Sequence, residues 1–159
     1  QYKKLLSLTA GRSLNGIADY IKARDQFYKQ GVESFPIDWT EFEDSFKEAI
    51  QSVVYGTFIY GEKTQYGYAI YDETTRQWYL VKGITTPLEE IIEEGWCVIR
   101  TALMKFEKDF IYDGLVVNHN CLLGPNYTRK FRASLKKHLS VQTGRSLKRS
   151  KPKVDLLED

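Results

Sequence analysis

The spacing of apolar residues changes along the chain, from a helical period over the first fifty residues to a period of two over residues 53–117. In the first part they recur every three, four or seven residues, which predicts a helix. The repeating positions are Leu14, Ile17, Ile21 and Tyr28. Gly31 follows the last of them, and glycine accepts the left-handed conformation found at helix ends, so the helix is expected to stop there.

A second helix is predicted to begin at Asp38. Asp38 can cap a helix, and Glu41 three residues later completes a capping-box pattern. Apolar residues then follow at helical period: Trp39, Phe42, Phe46, Ala49, Ile50 and Val53. The first fifty residues are therefore predicted to form two helices.

The alternating part of the chain predicts five strands, at 53–60, 66–71, 77–82, 96–106 and 109–117. Loops of hairpin size join the first three, and a tight turn joins the last two. Pro87 is expected to open a short helix, 88–93, between the third and fourth strands. Five antiparallel strands of this length commonly curl into a small half-open barrel. The predicted fold class is α+β, with two N-terminal helices, a five-stranded antiparallel sheet or half-open barrel, and a basic C-terminal helix.

A chain of 159 residues fits one domain. We predict a single α+β domain over 1–142, with a helical part at 1–52, the sheet at 53–117 and the basic helix at 125–140. Residues 143–159 are predicted to form a basic, weakly ordered tail. The predicted core comprises Trp39, Phe42, Phe46, Ile59, Ile70, Leu80, Val98, Leu103, Phe106, Ile111 and Leu115.

Positive charge is concentrated at the C-terminal end. The whole chain has a net charge of +2, but residues 125–159 hold ten Lys or Arg and three acidic residues, so the rest is mildly acidic. Such an arm can bind a nucleic acid or an acidic protein, or it can be a solvated surface. The candidate polyanion-binding residues are Arg129, Lys130, Arg132, Lys136, Lys137, Arg145, Lys148 and Arg149.

Aromatic residues are abundant in the predicted sheet. The chain has eleven tyrosines, and most of them fall between residues 55 and 112. Tyr66, Tyr68 and Trp78 could stack nucleic-acid bases. The alternative, which we favour, is that one face of the sheet is core and the other packs against the N-terminal helices.

A second candidate site is a pocket near Arg100, Tyr112, Asp113 and His119. Asp113 could be a catalytic aspartate beside a glycine that lets a ligand approach the backbone. The alternative, which we favour, is a strand bulge at Asp113-Gly114 in which the aspartate hydrogen-bonds to the backbone. If this alternative is correct, Asp113→Asn should have only a mild effect on folding, whereas Gly114→Val should damage it.

The residues that could supply other chemistry lack the spacing for it. Cys97, Cys121, His119 and His138 do not form a zinc-ligand pattern, and no phosphate-binding loop is present, so no metal and no cofactor is expected. A single disulfide is possible, but a buried free thiol on a strand is the expectation. No apolar run is long enough to cross a membrane, so a cytoplasmic protein is expected, although the chain lacks an initiator Met and a segment could precede it.

One segment resembles a known group of sequences. Leu103-Met104-Lys105-Phe106, the run from Phe110 to Leu115, Leu123-Gly124 and the Arg132–Lys136 segment are similar to a pattern in a scattered set of uncharacterised bacterial proteins. The similarity covers roughly residues 79–139. It implies no activity and no catalytic residues. Several of these proteins continue into a cysteine-rich zinc motif, which this chain lacks.

The sequence favours a non-catalytic binding or adaptor module that uses its basic C-terminal arm on a polyanion or an acidic partner. The alternative is an enzyme of unknown type with a pocket near Tyr112, Asp113 and His119. A third interpretation is a structural fragment of a larger protein. The residues specify neither the partner nor an oligomeric state.

Overall fold

The computed structural model describes residues 1–83, 87–93 and 95–150, with residues 142–150 described by their backbone alone. The described chain forms helices α1 (Tyr2–Ala10), α2 (Gly16–Gln30) and α3 (Asp44–Gln51), strands β1 (Val54–Thr64), β2 (Gly67–Asp72) and β3 (Gln77–Lys82), helix α4 (Leu88–Ile91), strands β4 (Cys97–Phe106), β5 (Asp109–Tyr112) and β6 (Val117–Leu122), and helix α5 (Pro125–Ser150). The predicted α+β class is confirmed.

Five of the strands close into a small barrel. β1 pairs antiparallel with β2 and with β4, β2 pairs antiparallel with β3, and β4 pairs antiparallel with β5. A short parallel contact between β3 and β5 completes the ring β1-β2-β3-β5-β4. β6 pairs antiparallel with Cys97–Arg100 of β4, on the edge of β4 whose other end pairs with β5. The predicted small barrel of five strands is confirmed. It is closed and not half-open, one of its strand pairs is parallel, and a sixth strand pairs with β4.

The extra strand arises because the predicted strand 109–117 is interrupted. The Asp113 carboxylate accepts a hydrogen bond from the Leu115 backbone nitrogen at 3.0 Å, which turns the chain tightly. Gly114 between them has a φ of 84°, a conformation that favours glycine. The predicted irregularity at Asp113-Gly114, with Asp113 bonded to the backbone, is confirmed. It divides the segment into β5 and β6, so that β5 can reach β3.

The barrel interior follows the predicted alternation of apolar residues. Side chains from all five ring strands fill it: Phe58, Tyr60, Tyr68, Ile70, Val81, Cys97, Ile99, Leu103 and Tyr112 are buried in one cluster. Helix α4 covers one end, where Leu88 and Ile92 are buried in the same cluster. Tyr68 links the barrel to α4, because its hydroxyl accepts a hydrogen bond from the Leu88 nitrogen at 3.2 Å and donates one to the Glu89 carboxylate.

The hydrogen bond between Tyr68 and Glu89 is expected to stabilise the fold at neutral pH and to lose this effect in acid. The Tyr68 hydroxyl and the Lys63 ammonium, 2.9 Å away, lower the pKa of Glu89 from about 4.5 to about 2. Since the folded-state pKa is lowered, the contribution is present above pH 4.5 and disappears as the pH falls toward 2. We expect Glu89→Gln to lower the melting temperature at pH 7, and the difference from the wild type to vanish near pH 2. A difference that is constant across this range would contradict the assignment.

The N-terminal part contains three helices, one more than predicted. The predicted helix ending at Gly31 is α2, and Gly31 has the expected positive φ, at 95°. Asp38 caps only a single 3-10 turn, Trp39–Glu41, by accepting from the Thr40 nitrogen. The helix predicted at that point begins later, as α3, because the Asp38 cap is satisfied by the short turn. Helix α1 was not predicted.

These three helices pack on the outside of the barrel. Buried apolar residues of α1, α2 and α3 form one cluster with Met104 of β4 and Ile111 of β5. Of the predicted core, Phe42, Phe46, Ile59, Ile70, Leu103 and Ile111 are buried. The others, Trp39, Leu80, Val98, Phe106 and Leu115, are only partly buried. Ile17, predicted to lie on the inner face of its helix, is 70% exposed because α2 instead buries Ala23, Arg24 and Phe27.

Helix α5 begins at Pro125 as predicted but is longer than expected. Its backbone continues past residue 140, through Gly144, to Ser150. Leu, Lys, Arg and Gln are good helix formers, so a single glycine does not end the helix. The rest of the predicted tail, 151–159, lies outside the described residues. No helix in the described part of the chain is long and apolar enough to span a membrane.

Candidate functional site

Helix α5 lies on the outer face of β2 and β3. Phe131, Leu135 and Leu139 point toward the barrel, with Leu135 2% exposed. The Phe131 ring lies 5.2 Å from that of Tyr71, and the Trp78 indole donates to the Ser134 hydroxyl at 3.0 Å. The sequence predicted that the N-terminal helices would pack on the outer face of the sheet. They do so at β4 and β5, whereas α5 covers the outer face of β2 and β3.

This packing buries the aromatic residues that the sequence offered as a stacking surface. Trp78 is 9% exposed under α5, and Tyr68 is 6% exposed inside the barrel. Tyr66 is partly buried in the turn between β1 and β2. Trp78 and Tyr68 are therefore not available to stack on bases.

The first five cations of α5 lie at the surface, with Arg132 beside Trp96 and Glu62. Arg129, Lys130, Arg132, Lys136 and Lys137 are all exposed. No acidic residue lies between 125 and 150, so the helix offers its own cations no partner of opposite charge. Arg132 alone of these five approaches a carboxylate in the described residues, with its Nε 4.0 Å from an oxygen of Glu62. The exposed face of α5 is therefore an array of positive charge on a helix that packs against the barrel.

The first turns of α5 border an open cleft of about 460 Å³. Two of the cations, Arg129 and Arg132, line it together with Leu123, Pro125 and Thr128. The Arg132 guanidinium also lies over the Trp96 ring, 5.4 Å from its centre, which holds it in place. An anionic group in this cleft would meet two guanidinium groups.

Three further predicted cations continue the same helix. The backbone of Arg145, Lys148 and Arg149 belongs to α5. Nothing is described of their side chains. The basic helix that the sequence predicted is thus extended along its axis, beyond the part that packs on the barrel.

A second constellation surrounds Asp113, whose side chain is fully buried. Arg24, also fully buried, donates from Nη1 to both carboxylate oxygens, at 3.1 and 2.9 Å, and to the Leu115 carbonyl at 2.7 Å. The Tyr2 hydroxyl donates to Oδ2 at 2.7 Å, and the Thr101 hydroxyl lies 3.3 Å from Oδ1. Complete burial raises the pKa of Asp113, an effect that the Arg24 guanidinium opposes.

The network extends through the next residue of α2. Asp25 accepts from Arg24, from the Tyr55 hydroxyl at 2.8 Å and from Arg100 Nη2 at 2.9 Å. Burial alone would raise the pKa of Asp25, but these hydrogen bonds, that of Arg100 first, lower it. Arg24 and Asp25 together tie helix α2 to β1, to β4 and to the turn after β5.

An apolar cavity of about 410 Å³ adjoins this network. Helices α1 and α3 form one side and strands β4 and β5 the other. Its lining residues are Gln1, Tyr2, Phe46, Ala49, Met104, Phe106, Ile111, Tyr112, Asp113 and Gly114.

Two of the four residues of the predicted pocket line this cavity, and a third is linked to them only through other side chains. Tyr112 and Asp113 line the cavity, and Arg100 is connected to Arg24 through Asp25. Burial raises the pKa of Tyr112 to about 12. His119 lies elsewhere, exposed on β6.

The sequence did not identify Tyr2, Arg24 or Asp25 as part of a site. Arg24 did carry a signal, because it lies among the apolar repeats of its helix, where a buried charge requires a partner. Its partner Asp113 is 89 residues away, and no local pattern links the two. Both oxygens of the Asp113 carboxylate accept hydrogen bonds, and its side chain has no exposed surface. This carboxylate therefore connects α1, α2 and β4, which supply the donors.

Metal-ligating side chains do not converge in the described residues. No group of three or more His, Cys, Asp and Glu could hold a metal ion in this part of the chain. Neither cysteine forms a disulfide, as predicted: Cys97 is buried on β4 and Cys121 is exposed on β6.

Comparison of the chain with protein-family models, with curated proteins and with solved structures finds no match.

Proposed function

We propose that this protein is a non-catalytic binding module that uses the exposed face of α5 on a polyanion, with the backbone of a nucleic acid as the preferred partner. The observation that carries the proposal is the docking of α5. Its apolar stripe is held by the barrel, while Arg129, Lys130, Arg132, Lys136 and Lys137 are all exposed. Cations fixed on a docked helix lose less freedom on binding than those of a flexible tail.

The charge pattern favours phosphate groups over base edges. The five cations are spread around the exposed side of the helix, and Arg129 and Arg132 border an open cleft rather than a deep pocket. Contacts of this kind neutralise phosphates and carry little sequence information. The protein should therefore bind nucleic acids of different sequence with similar affinity.

The topology of the barrel supports the same proposal by analogy. The ring β1-β2-β3-β5-β4, with its one parallel contact, has the strand order of the OB-fold, in which strands 2 and 3 and the adjoining loops bind oligonucleotides and oligosaccharides. Here α5 occupies the outer face of these strands. A nucleic acid on this side of the barrel would meet the basic helix instead of the sheet. Two cysteines outside any disulfide favour a reducing, cytoplasmic setting as part of the proposal.

A charge-reversal experiment tests the proposal. We expect Lys136→Glu/Lys137→Glu to weaken binding of a fluorescent random-sequence DNA or RNA at least about tenfold at roughly 50 mM salt, measured by anisotropy. The matched control is Lys105→Glu/Lys108→Glu, which reverses two exposed lysines on β4 and the turn after it and should leave the affinity nearly unchanged.

Two results would contradict the proposal. Equal losses in both variants would show that only net charge matters and not the face of α5. No binding by the wild type or the Lys136→Glu/Lys137→Glu variant at the lower salt would exclude nucleic acid and leave an acidic protein as the partner.

A further inference from the structure

We propose that the cavity between the N-terminal helices and the barrel is a binding site for a neutral aromatic small molecule. Its volume of about 410 Å³ lies within the range of roughly 300–1,000 Å³ typical of small-molecule sites. Tyr2 of α1 and Ala49 of α3 face Met104 of β4 and Ile111 of β5 across it.

The lining selects against charged ligands. Asp113 has the one charged side chain among the lining residues, and both of its oxygens already accept hydrogen bonds within the protein. A ligand with a charge would lose its hydration and find no free side chain of opposite charge in the lining. A neutral molecule incurs no such cost.

The walls favour an aromatic ligand over a purely aliphatic one. Three aromatic side chains of the cluster outside the barrel line the cavity: Tyr2, Phe46 and Phe106. Tyr2 and Phe46 are already in an edge-to-face arrangement, with ring centres 6.4 Å apart. Aromatic rings prefer such contacts to one another, and the thioether of Met104 adds a polarisable group that favours ring contacts.

Gly114 provides access for the ligand at the edge of the cavity. It is exposed, and no heavy atom lies within 4 Å of the position that a Cβ would occupy there. A ligand can therefore approach the backbone at the bulge between β5 and β6. The proposal is independent of polyanion binding, because the cavity has no lining residue in α5.

The chain contains a single methionine, Met104, which provides a direct test. In protein labelled with ¹³C at the methionine methyl, the Met104 resonance is identified by its loss in Met104→Leu. We expect 1-naphthol to shift this resonance upfield in a saturable titration, because a bound ring lies against the methyl. The anionic analogue 1-naphthalenesulfonate should leave it in place.

Two leucine substitutions localise the effect. Ala49→Leu places a larger side chain on the cavity wall and should weaken 1-naphthol binding at least tenfold. Ala133→Leu makes the same change on the exposed face of α5 and should have no effect. An unmoved Met104 resonance up to the solubility of 1-naphthol, an equal shift by the sulfonate, or unchanged affinity in a folded Ala49→Leu would overturn the proposal. If Ala49→Leu does not fold, the comparison of 1-naphthol with the sulfonate on the wild type decides.

Discussion

Asp113→Ala is expected to destabilise the protein by about 3–5 kcal/mol, the loss typical of removing one partner from a buried ion pair. The substitution leaves the Arg24 guanidinium buried without its counter-charge, and it removes the acceptor of the Tyr2 hydroxyl and the Leu115 nitrogen. The free energy of unfolding from chemical denaturation measures the effect. The sequence led us to expect that Asp113→Asn would be mild, and the ion pair with Arg24 now predicts a large loss for that change as well.

A double-mutant cycle separates the ion pair from general packing. We expect Arg24→Met/Asp113→Ala to cost clearly less than the sum of the two single changes, because the double variant leaves no unpaired buried charge. Additive losses would mean that the two side chains do not depend on each other. The pair would then not be what ties α2 to the bulge after β5.

Nucleic-acid affinity is expected to fall steeply with salt. If all five exposed cations of α5 contact phosphates, the slope of log affinity against log salt should be about −4.5, which corresponds to a loss of roughly 500-fold between 50 and 200 mM. The physical reason is the release of one condensed counterion for nearly every phosphate that is neutralised. Anisotropy titrations at several salt concentrations give the slope.

Removing two of the five cations tests the interpretation of the slope. Neutralising Arg129 and Arg132, each to Gln, should bring the slope about 2 closer to zero if both guanidinium groups contact phosphates. A slope near zero in the wild type, or one unchanged by these substitutions, would show that the α5 cations do not contact phosphates.

Local features of the fold were predictable from the sequence because they depend on neighbouring residues. The strand Gln77–Lys82 has the predicted bounds, and the alternation of apolar residues placed Ile70 and Leu103 in the barrel core. The end of α2 at Gly31 and the irregularity at Asp113-Gly114 follow from the conformational freedom of glycine and the short side chain of aspartate.

Long-range features were not predictable in the same way. The closure of the barrel depends on β5 pairing with β3, and nothing in either strand specifies the other. The packing of α5 against Tyr71 and Trp78 depends on shape complementarity between distant parts of the chain. The similarity to uncharacterised bacterial proteins stays a prediction.

The basic helix shows how a site can be partly predictable. Its cations were identified from composition alone, and their exposure follows from the inward packing of Phe131 and Leu135. What composition could not provide was the surface that holds the helix. That surface makes the cations a fixed array and not a flexible arm.

The most direct test of the central claim is a map of amide chemical shifts in ¹⁵N-labelled protein titrated with a random-sequence oligonucleotide. We expect the largest changes along Arg129–Lys137, with the turn Glu107-Lys108 at the far end of β4 unaffected. The changes should disappear when the salt concentration is raised. Changes confined to the barrel or to the N-terminal helices, with α5 unmoved, would contradict the account.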